Sequence, residues 1–287
     1  MTVAEIILLI LKASIILSVF AIGLKATFAD TTYLFSRPAQ LVRAVLSMNV
    51  FMPLLAIVIG LAFDLNPAVK IALVAISVSP VPPIFPNKAF KVGGTENYNI
   101  GLLAAAAVIS VILVPIAMEI VERISGIPLT MRARTVFGTV LMTVLLPLLA
   151  GIGVRTLLKS LADRLAKPLA IIALALLVLS ALPVLIGMLR PMLSLIGDGT
   201  LFALGAFALI GFAVGHFFGG TDPANRSVLA LATATRHPAV ALAIAHTNFP
   251  NQKLAAPVVI LYLLLSGVLS AVYLAWARQH DVAHAAA

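Results

Sequence analysis

The chain has 287 residues, of which 62% are hydrophobic and only 10% charged. Apolar runs of roughly 20 residues recur along its whole length, which excludes a soluble domain, and they are continuous rather than alternating, which excludes a β-barrel. The net charge of +9 is carried at helix ends, where the positive-inside rule accounts for it without nucleic acid, and the absence of cysteine excludes disulfides and thiolate metal sites.

In chain order the pattern predicts nine spans, roughly 4–28, 39–62, 68–92, 97–121, 133–156, 165–188, 200–219, 226–248 and 254–277. The first is too long for a signal-peptide core and has no small-residue cleavage site after it, so it is read as a span. It carries Glu5 and Lys12, read as a surface pair with the lysine snorkelling to the interface. The second contains Asn49, followed by Pro53. The seventh contains His216, read as a packed or interfacial histidine, and Thr221-Asp222-Pro223 reads as the N-terminal cap of the eighth. An odd number of spans puts the termini on opposite sides. With the N-terminus outside, eleven loop lysines and arginines face the cytoplasm against six outside, which favours N-out, C-in. The expected product is one inner-membrane, multi-pass transmembrane domain over 1–287, a monomer, with a short disordered tail from 279.

Two spans are interrupted. The third ends in Ser77-Val78-Ser79-Pro80-Val81-Pro82-Pro83-Ile84-Phe85-Pro86-Asn87, where four prolines in seven residues cannot continue a regular helix. An alternative ends that helix at the interface and makes Gly93 to Asn99 an ordinary loop. The eighth places Arg236-His237-Pro238 in the middle of an apolar run. Arginine at bilayer depth costs at least ~2.5 kcal/mol on insertion scales. Paired interruptions in the two halves, about 1–125 and 130–278, point to an inverted-repeat transporter with a solute site where the broken ends meet. Helix N–H ends there favour an anionic group and carbonyl ends a cation. No Gly-rich phosphate loop, His-Glu-x-x-His motif or activated nucleophile occurs, so an enzyme is not expected and no cofactor is implied.

Four stretches resemble a known family. Ile22-Gly23-Leu24 through Asp30, then Arg37-Pro38, looks like the opening signature of the bile acid:sodium symporter family. Asn49-Val50-Phe51-Met52-Pro53-Leu54-Leu55-Ala56 is similar to its Gln-Phe-x-x-Met-Pro-Leu-x-Ala. Pro86-Asn87 falls where the family has Pro-Gly-Gly-x-x-Ser-Asn, and the eighth span through Ala239 to Ala243 looks like its second crossover segment. The resemblance implies an all-α polytopic fold with two broken crossing helices in a core domain, beside a flatter panel domain. It also implies that this chain is like the nine-helix, N-out members.

The departures from the family concern sodium. The resemblance places the family's sodium-site residues at Asn49, Pro86, Asn87, Ile100, Ala104, Ala232 and Arg236. Alanine and isoleucine offer no side-chain oxygen to a hard cation, and Arg236 would repel one, so sodium is doubtful and no metal is expected. The expectation is therefore a carrier of an organic anion in which Arg236 stands in for a bound cation, with Asn49 accepting from its guanidinium. Asn87, Arg236 and His237 are the leading solute-site candidates, supported by Asn49, Thr233, Thr235 and Pro86. Proton coupling through His237 is a further possibility, since histidine is the side chain that titrates near neutrality. Alternatives are a sodium-coupled symporter using backbone carbonyls, a membrane ligand sensor without flux, and a purely structural Arg236 paired with a carboxylate such as Glu96.

Overall fold

The computed structural model describes residues 3–82, 95–125 and 133–285. Among these, every regular element is helical. The first span is α1 (Val3–Gly23), followed by a short helix α2 (Phe28–Thr32). The second is one continuous helix in three parts: α3 (Pro38–Val45), a π-turn (Leu46–Phe51) and α4 (Met52–Ala62). Then come α5 (Pro67–Val78) and α6 (Glu96–Ser125). The fifth span repeats the three-part form: α7 (Ala133–Val140), a π-turn (Leu141–Leu145) and α8 (Leu146–Leu157). It is followed by α9 (Lys159–Leu193), α10 (Thr200–Phe218), α11 (Pro223–Ala234), α12 (Pro238–Asn248) and α13 (Ala255–Ala285).

Among the described residues, eight helical segments are long and apolar enough to cross a membrane, and Pro67–Val78 is a shorter apolar helix. The eight lie on eight of the segments read from the sequence, and Pro67–Val78 lies on the first half of the third. The last helix is described as far as Ala285. Its end is rich in alanine, the strongest helix former, and continues from a span that is already helical.

The helices pack in two groups. Helices α1, α8 and α9 pack on one another. The α3–α4 rod, α5, α6 and α10 to α13 share one large apolar core. The first group depends on a close crossing. A Cβ on Gly23 would lie 2.4 Å from the Leu148 carbonyl oxygen, and one on Gly151 would lie 2.4 Å from that of Phe20. Only glycine lets α1 and α8 approach so closely, the usual device of membrane helix pairs. The groups meet through a smaller cluster in which Val19, Ile22, Leu148 and Ile152 pack on Ile100 and Ala104 of α6.

Both π-turns end two residues before a proline, Pro53 and Pro147. A proline ring clashes with the carbonyl four residues back and has no N–H to offer it. Widening the turn ahead of it relieves the clash and lets the rod continue. In the second span this local adjustment shapes the candidate site.

Candidate solute site at two interrupted helices

The eighth span stops and restarts. Asp222 caps α11 by accepting from the N–H groups of Ala224 and Asn225, as the Asp-Pro pair predicts. The helix ends at Ala234, Thr235 and Arg236 are not helical, and α12 restarts with Pro238 as its first residue. The third span stops in the same way: α5 ends at Val78 and Ser79 is extended, ahead of Pro80. Helix ends leave carbonyls unpaired at the C-terminus and N–H groups unpaired at the N-terminus.

The two stops are joined. The His237 N–H donates to the Pro80 carbonyl at 2.8 Å. Arg236 reaches further, its Nη1 donating to the Ser79 carbonyl at 3.2 Å and its Nη2 to the Met48 carbonyl at 2.6 Å. Arg236 is only 4% exposed, and no ion pair to it occurs among the described residues. Its charge is met by peptide dipoles instead, at the negative C-terminal end of α5 and on the π-turn.

Met48 is free to accept for a reason written in the sequence. In a π-turn a carbonyl pairs with the N–H five residues on. For Met48 that residue is Pro53, which has no N–H. The oxygen therefore lacks its five-residue partner, and Arg236 donates to it. One proline thus bends the ladder and presents an acceptor to the arginine.

Of the other candidate residues, Thr233 donates to the hydroxyl of Ser47 at 3.2 Å and ties α11 to the π-turn. Thr235 donates to the Leu231 carbonyl of its own helix. Both hydroxyls are buried and both bind protein. Asn49 is half-buried on the π-turn, but the acceptor for the guanidinium is the carbonyl of the preceding residue rather than the Asn49 side chain, a correction to the sequence reading. Pro86 and Asn87 lie outside the described residues, as does the side chain of Glu96.

Three polar groups at the second break have no partner among the described residues: Arg236 Nε and both ring nitrogens of His237, whose side chain is fully buried. A buried polar atom without a partner is costly, roughly 1–3 kcal/mol in mutational data. His237 also precedes the N-terminus of α12, whose dipole favours negative charge. The break can therefore offer a fixed cation, an imidazole and a helix N-terminus to an anionic group.

Sequence reading missed Met48, Ser47 and Tyr262. Tyr262 donates its hydroxyl to the Ala234 carbonyl and so closes the end of α11. The signal for Met48 was present in its five-residue spacing to Pro53. Nothing local marks Ser47 or Tyr262. His216 is a packed histidine, its Nδ1 2.8 Å from the Tyr273 hydroxyl and its ring edge-on to Trp276.

The profile of the sodium bile acid symporter family matches residues 13–194, more than half of the chain. The chain belongs to the sodium bile acid symporter family. No curated protein matches it. Symporters of this family are membrane transporters rather than enzymes. The matched stretch holds the first break and the π-turn, and Arg236 lies beyond it.

The stretches that carried the resemblance have structural roles. Asp30 and Thr27 form a reciprocal capping box on α2. Arg37 lies 3.8 Å over the Tyr33 ring, and Pro38 opens α3. Of the positions that the resemblance assigned to sodium, Ile100 and Ala104 are buried in the apolar contact between the two helix groups, and Ala232 is buried in the main core.

Proposed function

We propose that this protein is a secondary transporter of an organic anion that works without sodium. The chain is read as nine spans, N-terminus outside and C-terminus inside, with an inverted-repeat core containing the two broken helices, the solute binding at the second break and access alternating by movement of α1, α8 and α9 against that core. The observation that carries the reading is the Arg236 guanidinium, bound by the Ser79 and Met48 carbonyls. Carbonyl oxygens at the end of a broken helix are the ligands a transporter offers to sodium. Here a covalently attached cation uses the Ser79 carbonyl at the end of α5, together with the Met48 carbonyl on the π-turn. Arginine stays protonated in proteins, so the positive charge is permanent and needs no ion gradient to place it.

The packing of Ile100, Ala104 and Ala232 supports the same reading, because those positions contribute no oxygen. It also weighs against the sodium-coupled alternative, since the carbonyls that a sodium ion would need are hydrogen-bonded to Arg236.

The test is uptake of radiolabelled carboxylates into proteoliposomes, with sodium replaced by choline on both sides. Equal uptake in the two buffers is expected; strict dependence on sodium would overturn the proposal. Saturable binding with no flux in either buffer would identify a sensor instead.

A further inference from the structure

A cavity lies away from the breaks, where α4 ends, α5 begins and α6 and α12 end. It holds about 320 Å³, at the small end of the roughly 300–1,000 Å³ typical of ligand sites. Ala56 and Gly60, one turn apart on α4, make a low wall; Ile71 and Val74 of α5 and Phe249 after α12 make the others. Among the described residues, the single charged group on its lining is Lys70.

Gly60 has no packing reason to be glycine. A Cβ there would meet nothing within 4 Å among the described residues. Glycine inside a helix costs ~1 kcal/mol relative to alanine. Some glycines in this chain admit a neighbouring backbone, as at Gly23 and Gly151, whereas Gly60, like Gly138 and Gly153, faces open space. At Gly60 the space it leaves belongs to the cavity. Lys70 is also oddly placed. It is half-buried near the start of α5, close to the positive end of the helix dipole, where a cation is disfavoured. It takes part in no ion pair among the described residues. Dipole and ammonium together call for a negative charge.

The rim decides which anion. Leu61 is 80% exposed and Ile124 56%, so in a bilayer the mouth opens to hydrocarbon. Lys70 follows the short turn after α4, which puts it near the membrane surface, at headgroup level. We infer that this cavity holds one acyl chain of an anionic phospholipid, with the headgroup on Lys70.

The test uses the full chain in mild detergent, with native mass spectrometry to count retained lipid after addition of phosphatidylglycerol or phosphatidylcholine of the same chains. Wild type is expected to retain phosphatidylglycerol about fivefold better, the preference one lysine gives. Lys70→Gln should erase the preference, and Gly60→Phe should reduce retention of both lipids to background. Gly60→Leu serves if the phenylalanine variant does not fold, because it fills less of the space. Equal retention of the two lipids by wild type would overturn the inference, as would undiminished retention by the filled variants. Thermal stabilisation by sodium laurate added from water, with none by phosphatidylglycerol, would overturn it in favour of a solute site.

Discussion

At the scale of the residue, Arg236 joins the two interruptions. A guanidinium presents a planar fork of donors, so one side chain can reach carbonyls on two different helices. Glutamine has the wrong charge and too few donors for this. Arg236→Gln should therefore leave at least one buried carbonyl unpaired, at a cost of roughly 1–3 kcal/mol, and remove the positive charge from the site. The expected result is a lower melting temperature together with loss of carboxylate uptake. Arg236→Lys should keep the charge but reach only one carbonyl, giving intermediate uptake. If Arg236→Gln transports as well as wild type, the charge is not used for the solute.

At the scale of the element, the widened turn before Pro53 decides where the arginine can bind. Pro53→Ala restores an N–H to the rod and allows Met48 to pair within its own helix. Folding should be preserved, because alanine is the better helix former, while uptake should fall by about tenfold as Arg236 loses an acceptor worth roughly 1.5 kcal/mol. Melting curves and uptake on the same preparation separate the two effects. The pairing of α10 with α11 makes a different demand. A Cβ on Gly215 would stand 2.5 Å from Ala230 Cα and 2.6 Å from the Leu229 carbonyl oxygen. Both are backbone atoms and cannot swing away. Gly215→Val should force the helices apart and cost at least 1–3 kcal/mol, by the usual scale of overpacking, visible as loss of the monodisperse peak in size-exclusion chromatography.

At the scale of the whole molecule, the orientation is testable because the chain contains no cysteine. Single cysteines can be placed without a background. In intact cells a membrane-impermeant maleimide should label Asn251→Cys, in the turn after α12, and should not label Lys159→Cys, between α8 and α9, until the cells are opened. The opposite pattern would invert the proposed topology. The two helix groups are joined by apolar side chains at Ile100 and Ala104. Such a contact can slide without breaking hydrogen bonds, which suits a moving boundary better than a polar seam would.

Much of this was legible in the sequence. Hydrophobic runs marked the spans because a bilayer demands an internally paired backbone, and only a helix some 20 residues long supplies one. The prolines marked where both helices stop because a missing N–H is a local fact. The charge at Arg236 was visible as an anomaly for the same reason: its cost is set by depth alone. What Arg236 binds was not legible. Carboxylate, amide and carbonyl partners are equally compatible with its position in the chain, and the choice of Met48 over Asn49 turns on one widened turn in a helix nearly 190 residues earlier. Nor could the sequence show that Thr233 and Thr235 spend their hydroxyls on protein, or that Gly60 faces empty space while Gly23 and Gly151 touch backbone. Those outcomes are set by which helix faces meet. Local chemistry determined where the chain breaks and where it carries charge; the tertiary structure decided what each broken end is paired with, because pairing depends on contacts between segments far apart in sequence.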